Sequence, residues 1–280
     1  MLTLPPQISL ELTFRCNHGC LFCSCPWLHH TGFAGRELSC DEWIGVLDML
    51  AAHGVKQITF TGGEPLLKED FVKILTHAAT LPFETVGVFS NGLLIDEYML
   101  EIFQKYKIQW ATSLPGFFSF KYLTNSPMSP WQLLEKVKLA SEKKLHVSVS
   151  ITVVRKNFWE VILTAILAGF HGAAALTIGP CMPEGRALQH RELLLSDKLY
   201  SKLLGRIKIL NFISKIPVYF SYEQRCLCFN EDGSPTGVVP ETCSAGKTFA
   251  VISPDGSIRK CLHSPQKISS VQEFLHKDKP

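Results

Sequence analysis

The sequence predicts an α/β fold, a partial (β/α)6 barrel followed by a small C-terminal module. Three observations carry this reading. Short apolar runs alternate with helical patterns through the first two thirds of the chain, the signature of repeated strand–helix units. Motifs rich in glycine, hydroxyl and thiol groups close those runs one after another, as they do where parallel strands aim their carboxyl ends at one site. The alternation stops near residue 190, and a hairpin pattern centred on Pro-Asp-Gly takes over.

Taken in order, strands are expected at Ile8–Phe14, Gln57–Phe60, Thr85–Phe89, Ile108–Ser113, Val147–Val154 and Ala174–Ile178. Helices fall between them near Asp41–His53, Glu69–Thr80, Asp96–Lys105, Pro130–Lys143 and Phe158–Gly169, several opening on an Asp, Ser or Asn suited to capping. Val161 to Phe170 with Ala173 to Ile178 comes nearest to a membrane span, but His171 and two glycines interrupt it, so it reads as a buried helix and then a strand. After residue 190 a helix runs roughly from Ser196 to Phe212, and strands Phe249–Ile252 and Ser257–Arg259 follow, joined by the Pro-Asp-Gly turn. The expected organisation is a barrel over residues 1–190 and a second module over residues 191–280.

Composition sets outer limits. Of 280 residues, 46% are hydrophobic and 19% charged, which suits a globular chain with a large core and no disordered tail. A net charge of +3 without a long basic run does not call for a nucleic-acid partner, and no apolar stretch calls for a membrane. The N-terminus Met-Leu-Thr-Leu-Pro-Pro lacks the charged leader and apolar core of a signal peptide, so a cytoplasmic chain is expected. In that setting ten cysteines favour metal over disulfides.

The segment Glu11-Leu-Thr-Phe-Arg-Cys16-Asn-His-Gly-Cys20-Leu-Phe-Cys23 sets three thiols in one loop at C-x3-C-x2-C, straight after the first strand. A structural zinc site usually pairs two C-x2-C half-sites or adds histidines at helical spacing, and a disulfide framework belongs to short secreted chains. Three thiolates can hold three irons of a [4Fe–4S] cubane and leave the fourth iron open to an outside molecule. Thr61-Gly62-Gly63-Glu64-Pro65 ends the second strand, where adjacent glycines let the backbone come close to a ligand and Glu64 offers a carboxylate. Phe89-Ser90-Asn91-Gly92 and Ala111-Thr112-Ser113-Leu114 end the next two apolar runs. Singly, each is an ordinary polar strand end.

Together these motifs resemble the radical S-adenosylmethionine superfamily. The resemblance implies that Cys16, Cys20 and Cys23 hold a [4Fe–4S] cluster whose open iron is chelated by S-adenosylmethionine. Reductive cleavage would yield a 5′-deoxyadenosyl radical that abstracts hydrogen from substrate. It also implies cofactor contacts from Gly62, Gly63 and Glu64 to the amino group, and from Ser90, Asn91 and Ser113 to the ribose and carboxylate. Arg186, in Glu-Gly-Arg, resembles a position that pairs with the cofactor carboxylate, and it reads equally as a surface arginine capping the next helix. The fourth strand departs from the family, with Ser113-Leu114-Pro115-Gly116 where Ser-Leu-Asp-Gly is common.

In the C-terminal module the hairpin would bring Cys243 and Cys261 together. Twelve residues separate Cys243 from Gly256 and four separate Gly256 from Cys261, which resembles the auxiliary-cluster domains of SPASM and Twitch proteins. With no cysteine beyond Cys261, the shorter Twitch type fits better. Cys226 and Cys228 would complete a second [4Fe–4S] cluster, although one of them could remain a thiol, and zinc on four thiolates has the same spacing. Cys25, Cys40 and Cys181 remain and default to packing, but Cys181 follows the sixth strand at the rim, where a thiol could return a hydrogen atom to a substrate radical.

The resemblance implies modification of a ribosomally made peptide as the leading function, with oxidation of a small molecule as the alternative. Iron–sulfur sensing or electron transfer is the non-enzymatic reading. A low-potential donor such as flavodoxin or ferredoxin is implied. Against a peptide substrate, the first strand starts within about eight residues of the N-terminus and leaves no room for an N-terminal leader-binding domain; either such a domain is a separate protein or the substrate is small.

Overall fold

The computed structural model describes residues 4–33, 35–221 and 243–275. Its strands are β1 (Gln7–Glu11), β2 (Gln57–Thr61), β3 (Thr85–Phe89), β4 (Gln109–Ser113), β5 (Val147–Val153), β6 (Ala175–Pro180), β7 (Val218–Phe220), β8 (Phe249–Ile252), β9 (Ser257–Arg259) and β10 (Lys267–Ser270). The helices are α1 (Cys40–Ala52), α2 (Phe71–Ala78), α3 (Glu97–Tyr106), α4 (Phe120–Thr124), α5 (Pro130–Glu142), α6 (Val161–Phe170), α7 (Asp197–Ile213) and α8 (Gln272–Leu275). All strands join one sheet in the order β10-β9-β8-β1-β2-β3-β4-β5-β6-β7, with β10 and β7 at its edges. From β8 through β1 to β7 every pairing is parallel.

Helix starts follow local chemistry. Ser39 and Ser129 each form a capping box, with Glu42 and Gln132, and Pro130 sits where its missing N–H costs nothing. Asp96 and Ser196 cap α3 and α7 through side-chain oxygens. The helices bury Trp43, Leu47, Leu50, Ile74, Phe103, Leu134 and Ala165 against Ile8, Leu10, Ile58, Phe60, Val88, Trp110 and Val149 of the sheet, in one continuous core. No helix among the described residues is long and apolar enough to cross a membrane.

The six expected strands all form, with two instructive shifts. The first ends at Glu11 rather than Phe14, because the chain from Leu12 onward bends into the cysteine loop while still bonding the β2 end. The helix expected over Phe158–Gly169 is α6, which starts at Val161 after a 3-10 turn at Phe158–Glu160. Four elements escape sequence reading: β7, α4, β10 and α8 are each five residues or fewer, too short for a periodicity to show. The expected C-terminal hairpin forms at β8 and β9, and β8 pairs in parallel with β1, so this segment extends the barrel's own sheet.

Candidate active site

The carboxyl end of β1 leads into a loop, Leu12 to Cys25, that is held by backbone on two sides. On one side Leu12 donates to the Thr61 carbonyl (2.9 Å), Gly63 to Thr13 (2.8 Å) and Glu64 to Arg15 (2.8 Å). This approach is why glycine stands twice: Gly62 has φ +135°, and a Cβ on Gly63 would lie 2.1 Å from the Arg15 carbonyl oxygen. On the other side Gly19 donates to Thr124 (2.9 Å) and Leu21 to Leu123 (2.8 Å), so α4 grips the loop. His18 meets Ser126 at 2.8 Å, and burial lowers its imidazole to about 4, leaving it neutral.

Loop and strand ends enclose a cavity of about 520 Å³. Cys16, Cys20 and Cys23 line it together, as the spacing predicts. Withdrawal from water pushes the Cys20 thiol well up, whereas the Cys25 thiol donates to the Cys23 sulfur and lowers it to about 7. Iron replaces such protons outright on ligation. Three thiols lining one cavity supply the number of ligands that three irons of a cubane take. Cys25, read from sequence as packing, also lines the cavity, and its thiol lies 3.8 Å from the Gly62 carbonyl oxygen.

Gly62, Gly63, Asn91, Ser113 and Arg186 share that cavity with the thiols. Asn91 donates to Asn17 (2.7 Å) beside Cys16, and Arg186 donates to the Cys20 carbonyl (3.0 Å), which anchors its guanidinium at the cavity wall. Two other residues of these motifs stand behind the wall. Glu64 is 1% exposed, and its carboxylate accepts from Ser90 Oγ (2.8 Å), Asn91 N (2.9 Å) and Leu66 N (3.3 Å). Ser90, itself fully buried, is thus spent on Glu64 and on the Gly92 N–H. Together they brace the strand ends that carry Gly63 and Asn91. Cys181 is not brought to the cavity either: Pro180 and Met182 line it, while the intervening thiol faces an apolar cluster with Phe22, Leu123, Val154, Ala187 and Leu193. Burial pushes that thiol up to about 12.

Burial also raises Glu64 to about 7, against the pull of its three donors. An unfolded carboxyl titrates near its ordinary 4.5. Between these values the folded chain keeps a proton that the unfolded chain has released, so stability falls as pH rises through that window and levels off above it. The full effect is on the order of 3 kcal/mol. Glu64→Gln is expected to flatten this part of the fall when melting temperature is followed from about pH 5 to about pH 8.

Among the cavity residues to which sequence reading gave no role are Glu11, Trp27, Leu262 and His263. A signal for Glu11 existed, since it is a charge at the end of the alternating strand Gln7–Glu11, directly before the cysteine loop. It is 2% exposed, bonded to the guanidinium of Arg259, and raised by burial to about 7. Phe14, Trp27 and Phe33 pack edge to face at centroid distances of 5.3, 6.4 and 6.0 Å beside the thiols. Of the expected hairpin cysteines, Cys226 and Cys228 lie outside the described residues. Cys243 precedes a bridge between Ala245 and Phe249, and a Cβ on Gly246 would lie 3.2 Å from the Lys260 side chain, next to Cys261.

The sequence profile of the Radical SAM superfamily matches residues 10–167, more than half of the chain. The chain belongs to the radical SAM superfamily. Membership implies a [4Fe–4S] cluster and S-adenosylmethionine as cofactors, in agreement with the three thiols at the cavity. Among curated radical SAM relatives, the sporulation killing factor maturation protein SkfB of Bacillus subtilis is 31% identical over 188 residues, 66% of this chain and 45% of SkfB. The PqqA peptide cyclase of Granulibacter bethesdensis is 24% identical over 290 residues, 97% of this chain and 72% of the cyclase. The crystal structure of Streptococcus suis SuiB bound to precursor peptide SuiA superposes with a TM-score of 0.73 at 15% identity, covering 97% of this chain and 63% of SuiB. That likeness establishes the fold. The chain thus spans about half of SkfB and under two thirds of SuiB.

Proposed function

We propose that this chain generates an adenosyl radical and uses it to modify a ribosomally made peptide. The observation that carries the reading is the single cavity in which Cys16, Cys20 and Cys23 face Gly62, Gly63 and Arg186. When bound, a [4Fe–4S] cluster and S-adenosylmethionine supply a 5′-deoxyadenosyl radical. The protein's part is placement. Cys16, Cys20 and Cys23 would hold three irons of the cluster, and the Gly62–Gly63 backbone, Asn91, Ser113 and Arg186, which line the same cavity, would supply the polar groups and the cation that bind the cofactor. Glu64 and Ser90 act one layer back by fixing the Asn91 backbone. Phe14 and Trp27, packed edge to face, give the cavity an apolar flank. A peptide substrate is supported by the relatives' names, a maturation protein and a peptide cyclase.

The same proposal gives residues 191–280 a second metal site, on Cys243 and Cys261 with Cys226, Cys228 or both. Support comes from the hairpin, which sets the Cys243 side against the residue before Cys261. A flavodoxin- or ferredoxin-like electron donor and a separate leader-binding protein complete it, in the reducing cytoplasm that ligand thiols require. The test is anaerobic reconstitution, reduction and incubation with S-adenosylmethionine and a candidate precursor peptide. Formation of 5′-deoxyadenosine with a mass change in the peptide is the expected result. A chain that takes up iron but never forms 5′-deoxyadenosine overturns the reading.

A further inference from the structure

Arg259 stands apart from every other cation of the described chain: its side chain is 0% exposed, in the hairpin strand next to β8. Its guanidinium bonds in three directions. Nε donates to Ser253 Oγ at 2.7 Å, across the hairpin. One terminal nitrogen donates to three carbonyls of a single loop, Cys261 (3.2 Å), Leu262 (3.1 Å) and Ser264 (2.7 Å). The other donates to the carboxylate of Glu11, the last residue of β1.

Three carbonyls within four residues converging on one nitrogen are outside any regular backbone ladder, so this loop takes its shape from a side chain. The cation, in turn, can be buried only because Glu11 neutralises it and the carbonyls take up its remaining donors. Lysine could keep the charge but not the reach, since a compact ammonium cannot span Ser253, the loop and Glu11 at once. Both ends of the arrangement matter to the cavity. Glu11 lines it and leads into the cysteine loop, and Leu262 and His263 line it as well.

We propose that Arg259 is a positioning residue that, through Glu11, fixes the Cys261–Ser264 loop against the end of β1, setting the second ligand loop and the Leu262–His263 wall relative to the cofactor loop. Its metal-holding consequence rests on the reading of Cys261 as a ligand; its structural consequence does not.

The experiment compares the full chain with R259K and E11Q, each purified without oxygen, by hydrogen–deuterium exchange and iron analysis. In R259K, amides of residues 260–266 are expected to exchange at least tenfold faster while those of α5 and α6 keep their rates. E11Q, whose amide oxygen still accepts a bond, is expected to show a smaller change over the same residues. Unchanged exchange in 260–266, or equal acceleration throughout the chain, overturns the proposal. Iron is counted in a Cys16→Ala, Cys20→Ala, Cys23→Ala background, where adding R259K is expected to remove at least half of what remains. Full retention there beside faster loop exchange overturns the metal-holding part. No iron in the triple variant before R259K is added overturns the second cluster itself, and the exchange result still decides the role of Arg259.

Discussion

Replacing Cys16, Cys20 and Cys23 together by alanine is expected to remove about four irons per chain and to reduce 5′-deoxyadenosine formation to the level seen without protein. The thiols line one cavity, and their other contacts are modest: Cys16 Sγ accepts from the His18 amide (3.4 Å), Cys20 packs beside the Phe22 cluster, and Cys23 meets Cys25. The loop's shape is secured elsewhere, by Gly19 on Thr124, Leu21 on Leu123 and Thr13 and Arg15 on the Gly63 and Glu64 amides. The variant should therefore fold with a melting temperature close to that of the metal-free parent. With both proposed sites filled, the parent carries about eight irons and the variant about four, all on the C-terminal hairpin. A fall from about four to none places every iron in the cofactor loop and leaves the hairpin to zinc or to no metal. An unchanged iron count contradicts the assignment of these cysteines.

Much of the frame that holds this site is legible in the chain. Ile8, Leu10, Ile58 and Phe60 mark strands by simple alternation, and the C-x3-C-x2-C spacing marks the loop because three closely spaced thiols can hold three irons of one cubane. What alternation cannot give is the facing of a single residue at a strand end. Cys181 lies between Pro180 and Met182, both on the cavity, so a rim position in sequence becomes a core position in space. Glu64 is similar: its motif predicts a carboxylate for a ligand, and the carboxylate turns back to bind Ser90 and the Asn91 amide. Contacts between distant segments are invisible at this level, which is why α4's grip on the loop and the Glu11–Arg259 pair emerge only from the fold.

Gly63→Ala is expected to cost about 3 kcal/mol, lower the melting temperature by roughly 6 to 12 °C and empty the first iron site, although no polar group is lost. The added Cβ would sit 2.1 Å from the Arg15 carbonyl oxygen and 2.9 Å from that of Phe14. Both are backbone atoms, so no side chain can swing aside, and relief requires the chain just before Cys16 to move. Moving it breaks the bonds from Gly63 to Thr13 and from Glu64 to Arg15 that place the thiols. The control is the same substitution in α7. Gly205 is exposed in the helix interior, and a Cβ there meets nothing within 4 Å. Gly205→Ala is expected to stabilise by about 1 kcal/mol, because alanine loses less backbone freedom in a helix. Melting temperature and iron count are both expected to fall for Gly63→Ala, whereas for Gly205→Ala the melting temperature rises slightly and the iron count is unchanged. Equal behaviour of the two would mean that the close approach of β2's end to the cysteine loop is not what builds the site.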